Sequence, residues 1–195
     1  MGDVALSSRV RLVALRQPPV MLESGMSKTV IDQSVPTDPA NLRRLRDALG
    51  GFTTGITVIT THTPQGPAAF TANSFASVSL DPALVLWSAA RGSARFPIFA
   101  AAKTYSIHIL AADQSHLIPR FARGGAGFDG LDTQLSADRN PVLVGALARF
   151  DCHQHSLLDG GDHLIILGRV VHFAHSTAQP LVFSQGKYGR FTPDA

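Results

Sequence analysis

The sequence predicts a mainly β protein with a few helices, its strands laid out as an antiparallel barrel. Three observations predict it. Runs rich in β-branched and aromatic residues, short enough for strands, recur from Gly55 onward. The connections between several of them are too tight for the crossover helix that a parallel sheet needs. No strand is followed by the Gly-x-Gly-x-x-Gly turn into a helix that marks a doubly wound dinucleotide fold.

In chain order, residues 1–39 read as an irregular N-terminal arm ending in the turn-rich Val35-Pro36-Thr37-Asp38-Pro39. Asp38 is placed to cap a helix with Pro39 in its first position, where a missing N–H costs nothing. That helix runs from Pro39 to Leu49, carries Leu42, Leu45 and Leu49 on one face, and stops at Gly50-Gly51. Ile56–Thr61 is almost wholly β-branched and reads as a strand, followed by a turn over Pro64–Pro67. Further strands are expected at Ala68–Ser74, Ala83–Ala89, Tyr105–Leu110, Leu147–His155 and His163–Phe173. Helices are expected at Ser93–Ala102 and Asp113–Ala122, then a flexible glycine-rich loop, Gly124-Gly125-Ala126-Gly127. Residues 40–191 thus form one predicted domain.

Bulk properties set the class. The chain has 195 residues, enough for one domain with a sizeable core and few for two. Hydrophobic residues make up 45% and charged residues 16%, values of an ordered globular protein. The net charge of +3 is small, and the basic residues are scattered. Arg43, Arg44 and Arg46 read as the solvated face of a helix, so no nucleic-acid partner is expected. No apolar run approaches the roughly 20 residues of a membrane span. Near the N-terminus, Arg9, Arg11, Arg16 and Pro18-Pro19 interrupt any signal-peptide core. Cys152 is the single cysteine, which excludes an intrachain disulfide and fits a reducing, cytoplasmic compartment.

Three segments carry chemistry. From Thr71 through Ala72, Asn73, Ser74, Ser77, Val78 and Ser79, uncharged hydroxyl and amide side chains alternate with apolar ones. Such donors suit the carbonyls and ring nitrogens of a planar heteroaromatic ligand, and equally suit the wet face of a strand. Ser88, Arg91 and Ser93 straddle a strand-to-helix junction, where phosphate binding and simple helix capping are the competing readings. His163 closes the turn Asp159-Gly160-Gly161-Asp162, either at a ligand or at the surface. Cys152, His153, His155, Asp162 and His163 are metal-ligand types, but no spacing matches a zinc pattern and no metal is expected.

Leu49–Thr60, Thr71–Pro82, Gly160–His163 and the late Pro180-Leu181 with Gly186-Lys187-Tyr188, in this order, resemble the flavin reductase-like family. The resemblance spans roughly residues 40–191 and implies a split β-barrel, usually a homodimer, that binds FMN or FAD. It implies an NAD(P)H:flavin oxidoreductase with NADH or NADPH as hydride donor, serving a partner flavin-dependent monooxygenase. By the same resemblance, Thr71–Ser74 and Ser77–Ser79 lie along the flavin ring and ribityl chain. Ser88, Arg91 and Ser93 approach the phosphate, and His163 and Tyr188 border the nicotinamide, His163 as the catalytic-site candidate. Ala69, Ala83, Ala94 and His108 depart from the residues common in the family. An alternative reading keeps the barrel as a flavin-binding electron carrier or sensor without nicotinamide turnover. A pyridoxamine-phosphate oxidase-like enzyme is a third, weakened by the lack of a basic phosphate cluster.

Overall fold

A sheet that must bury the Thr57–Thr61 run on both faces organises the molecule. The computed structural model describes residues 34–122 and 127–193, so most of the predicted arm and Gly124–Ala126 of the glycine-rich loop lie outside the described residues. Asp38 accepts from the Asn41 backbone N–H at 3.0 Å and heads a 3-10 turn, Pro39–Asn41, which leads into α1 (Leu42–Leu49). Strands β1 (Thr54–Gly55), β2 (Thr57–Thr63), β3 (Gly66–Ala72), β4 (Ala76–Leu80) and β5 (Ala83–Ala90) follow. Then come α2 (Phe96–Ala101), β6 (Thr104–Ile109), a 3-10 turn (Ala112–His116) and α3 (Leu117–Ala122). The chain ends with β7 (Thr133–Leu135), β8 (Pro141–Leu143), β9 (Ala148–Gly160), β10 (His163–His175), β11 (Leu181–Ser184) and β12 (Lys187–Arg190).

Seven strands form one antiparallel sheet in the order β3-β2-β6-β9-β10-β5-β4; β1-β11-β12 and β7-β8 make two smaller ones. The predicted antiparallel, mainly β class is what the structure shows. The large sheet is rolled: Phe70 on β3 meets Trp87 on β5 at 5.4 Å between ring centroids, although four strands separate β3 from β5 in the sheet order. Its edges, β3 and β4, are joined by the short connection Asn73–Phe75 and by no ladder.

Rolling creates two apolar layers. Ile59, Phe70, Trp87, Phe99, Tyr105 and Ile166 fill the inside. Val58 and Ala69, from the opposite face of β2 and β3, pack under Leu110, Ile118, Phe121 and Leu143. Thr57–Thr61 is therefore buried throughout, which is why a continuous β-branched run was needed there. Its hydroxyls are satisfied by backbone, Thr57 to Ala72 O at 2.8 Å and Thr61 to Thr104 O at 2.9 Å.

Two expected helices are shorter than the sequence suggested, for one reason. A proline has no N–H to donate, so it is tolerated in the first turn of a helix. Accordingly α2 begins at Phe96, with Pro97 in its first turn, and not at Ser93. Likewise α3 begins at Leu117 with Pro119 third, and the preceding stretch is a 3-10 turn. Strands β1, β7, β8, β11 and β12 were not among those expected, and β4 lies in the segment that read either as a ligand-binding stretch or as a strand.

His108 ties three strands together from a fully buried position on β6. The Leu143 backbone N–H can only donate, so His108 Nε2 accepts from it at 3.2 Å; the proton sits on Nδ1 and goes to Val58 O at 3.0 Å. Burial pushes this imidazole down to about 4, against the opposing pull of the Val58 bond and the Asp151 carboxylate. The native state thus holds the neutral ring. Its contribution to stability is complete above the unfolded value of about 6.5 and falls away as pH drops toward 4. Urea unfolding should show wild type losing about 2 kcal/mol more than His108→Asn between pH ~7 and pH ~5; parallel losses would contradict the assignment.

A Cβ at Gly168 would land on the Tyr105 hydroxyl and lie 3.1 Å from Cys152 Cβ, both in the core. Gly168→Ala should cost about 2 kcal/mol and lower Tm by about 5 °C. An unchanged Tm would show that Tyr105 has room to move.

Candidate active site

The pairing of β10 with β5 decides where His163 stands. His163 lies opposite Ala90 on β5 and opposite Gly160 on β9, so Gly161 and Asp162 alone form the hairpin loop, with Gly161 at φ +73°. Only a residue without Cβ takes that φ without strain, which explains the second glycine of the motif. His163 Nδ1 meets Asp162 Oδ1 at 2.7 Å, and its side chain remains 42% exposed. That hydrogen bond, then the imidazole's charge, holds the Asp162 carboxyl below its usual range; Arg46 on α1 adds a smaller pull.

At the other end of the sheet, β3 runs into Asn73 and Ser74. The β4–β5 ladder stops where Ala76 faces Leu86. Ser74 Oγ continues it with a side chain, accepting from Ser88 N–H at 2.9 Å. The open edge of the rolled sheet is thereby pinned to β5. Thr71 Oγ1 is buried and has no hydrogen-bond partner. Thr71–Ser74, Ser88, Gly160 and His163 surround a cleft of about 460 Å³ with Phe70 and Ile165 in its walls.

Asn73 and Ser74 also border a second cleft, of about 1070 Å³. Its other walls include Arg46 and Leu49 of α1, Phe52, Thr54, Phe75 and Phe183. Thr54 Oγ1, like Thr71 Oγ1, is buried without a partner. One polar connection therefore separates two neighbouring hollows, each lined by a threonine whose buried hydroxyl has no partner.

Of the residues singled out in the sequence, the structure gathers Thr71, Ala72, Asn73, Ser74, Ser88 and His163 around one cleft. Ser77, Val78 and Ser79 lie outside both, on the edge strand β4, with a bulge between Ser77 and Ser79. Arg91 is bound to the β9–β10 hairpin, through Gly161 O in the loop at 3.0 Å and Asp159 Oδ1 on β9 at 2.7 Å. Ser93 caps a turn, accepting from Arg95 N–H at 3.3 Å, three residues ahead of α2. Tyr188 sits on β12, 51% exposed, with its ring 5.3 Å from that of Phe183. Sequence reasoning gave no site role to Phe52, Thr54, Phe75 or Phe183, and read Arg46 as a solvated helix residue. Phe52, Thr54 and Phe75 stood within motifs already noted, and that was the available signal.

Cys152 is fully buried, and desolvation pushes its thiol up to about 12, so it is no nucleophile. Among the described residues, no three His, Cys, Asp or Glu side chains gather as a metal site, and no helix is long and apolar enough to cross a membrane.

The family profile described as flavin reductase like domain matches residues 49–192, which include every residue of both clefts except Arg46 and Asp47. The chain belongs to the flavin reductase-like family. Among its flavin reductase-like relatives, FMN reductase (NADH) SmoA of Agrobacterium fabrum is 53% identical over 152 residues, 78% of this chain and 87% of that protein. The flavin-dependent monooxygenase reductase subunit HsaB of Rhodococcus jostii is 36% identical over 171 residues, 87% of this chain and 88% of its own. The solved structure of the Streptomyces globisporus C-1027 NADH:FAD oxidoreductase SgcE6, in complex with NAD and FAD fragments, superposes with a TM-score of 0.76. The two share 36% identity over 83% of this chain and 99% of that one.

The Ser74–Ser88 bond offers a direct check. Ser74→Ala leaves the Ser88 N–H without its acceptor and should lower unfolding stability by about 1 kcal/mol in urea titrations. An unaltered midpoint would mean that water replaces the hydroxyl at no cost.

Proposed function

We propose that this chain is an NAD(P)H:flavin oxidoreductase that reduces FMN or FAD and hands the reduced flavin to a separate monooxygenase. The observation that carries the reading is the pair of adjoining clefts on either side of Asn73-Ser74, with His163 at the rim of one. Hydride transfer needs two planar rings stacked in direct contact, with room alongside for the rest of each nucleotide. The lining fits a flavin: an orphaned Thr71 hydroxyl, the Asn73 amide and Ser88 stand among apolar walls, with no buried fixed charge to oppose a polar heterocycle.

When bound, the flavin supplies the N5 that takes a hydride from the nicotinamide C4. The chain's own work is orientation and electrostatics. Thr71, Asn73 and Ser88 are the neutral donors that would hold the ring's carbonyls, where negative charge grows on reduction. Phe70 and Ile165 exclude water beside it. His163, held at Nδ1 by Asp162, has Nε2 left over and would position the nicotinamide without acting as a nucleophile.

A homodimer accords with the apolar surface that the single chain leaves exposed, Leu80 at 97% and Val78 at 46% on edge strand β4, and Phe173 at 69%. Supply to a monooxygenase accords with the named role of the HsaB subunit. A reducing compartment such as the cytoplasm suits a lone buried thiol.

Mixing the protein with NADH or NADPH and FMN or FAD, and following nicotinamide absorbance, tests the reading. We expect oxidation well above the protein-free rate with at least one pair. Retention of flavin through gel filtration with no oxidation would replace the reductase by a carrier. His163→Ala should raise the KM for the nicotinamide about tenfold and leave that for flavin within twofold; equal KM values for wild type and variant would return His163 to a surface role.

A further inference from the structure

We propose that Arg91 and Asp159 form a clamp whose work is to position His163, and that Arg91 is not the anchor for a ligand phosphate. The proposal rests on the reading of His163 as the residue bordering the nicotinamide.

Three bonds from one residue span the hairpin loop. The Arg91 main-chain N–H donates to Asp162 O at 3.0 Å, Nε donates to Gly161 O at 3.0 Å, and Nη2 donates to Asp159 Oδ1 at 2.7 Å. The Phe96 ring lies 5.6 Å beneath the guanidinium and limits its swing. Both loop residues are thus held through their carbonyls, and Asp162 in turn holds His163 Nδ1 at 2.7 Å. A continuous chain of bonds leads from Asp159 on β9, through Arg91 at the end of β5, to the imidazole.

Stability is not what this arrangement supplies. Side chains 42% and 81% exposed make an ion pair worth between nothing and about 1 kcal/mol. What the planar fork does supply is direction, because Nε and Nη2 are fixed relative to each other and each already has its acceptor. A phosphate drawn to the same fork would have to displace the Asp159 carboxylate or sit beside it, and the two anions repel. The residue that looks like a phosphate ligand in the sequence is engaged elsewhere in the fold.

The test compares Arg91→Ala, Arg91→Lys, Asp159→Asn and the double variant Arg91→Ala with Asp159→Asn. Steady-state KM values for NADH and for flavin are measured, along with flavin Kd by fluorescence quenching and backbone amide exchange over residues 160–163. The clamp predicts a rise of about tenfold in nicotinamide KM for Arg91→Ala and for Asp159→Asn, with flavin Kd within twofold. It also predicts a double variant no worse than either single one, a lysine variant in between, and faster exchange of the loop in each. Weaker flavin binding in Arg91→Ala together with unchanged or tighter binding in Asp159→Asn would make Arg91 a phosphate ligand and overturn the proposal. Should His163→Ala leave nicotinamide KM unchanged, the reading of His163 fails on its own. The clamp is then decided by amide exchange alone, and exchange equal to wild type overturns it.

Discussion

Register along β10 is the constraint on which the site depends. This thirteen-residue strand is paired on one side with β9 and on the other with β5. A slip of one residue against either neighbour would turn Ile166 out of the core and move His163 off Ala90. Trp87, opposite Ile166 and wedged edge-on against Phe99 and Tyr105, makes such a slip costly. The core thus fixes the imidazole three residues away along the strand. The same strand β5 offers Ser88 to Ser74, so one element holds both sides of the smaller cleft.

Charge is sparse where the rings are proposed to lie and dense at the rim. Thr71, Asn73, Ser74 and Ser88 line the interior, whereas Asp162, Arg91, Asp159 and Arg46 gather around the hairpin and the end of α1. A site for hydride transfer between two bound nucleotides needs this division. The protein has no proton or acyl group of its own to deliver, and fixed neutral dipoles stabilise charge as it appears on a ring without first binding a counter-ion. The rim charges serve geometry, as the bonds from Arg91 to the loop illustrate.

Much of the frame was legible in the sequence because each signal was local. The β-branched run at Ile56–Thr61 announced a strand, and burial of β2 on both faces is why it reads so strongly. The Gly160-Gly161-Asp162-His163 turn announced a hairpin for the same reason that it forms one, a glycine at positive φ. What escaped notice depends on distant partners. Strand β4, Ala76–Leu80, does alternate apolar and polar residues, but at the sheet edge nearly all of them stay exposed, and in the sequence its serines read equally well as ligand donors. The β11–β12 hairpin turns on Gln185 and Gly186, both at positive φ, where glutamine gives little warning. The cleft residues divide the same way. Thr71–Ser74 and His163 carried motifs; the second cleft is assembled from α1, β1, the β3–β4 connection and β11, and no stretch of sequence shows that meeting. The bond between Arg91 and Asp159 joins residues 68 positions apart and was likewise invisible.

The central claim is that this cleft system holds a nicotinamide and a flavin face to face in one orientation. Stereospecific deuterium transfer tests it most directly: NADH carrying deuterium on one or the other face of C4 is mixed anaerobically with the protein and flavin, and bleaching of the flavin's visible band is followed. The account predicts protein-accelerated bleaching with a primary isotope effect for one labelled face and none for the other. Equal isotope effects from both faces, or bleaching no faster than in the protein-free mixture, would contradict it.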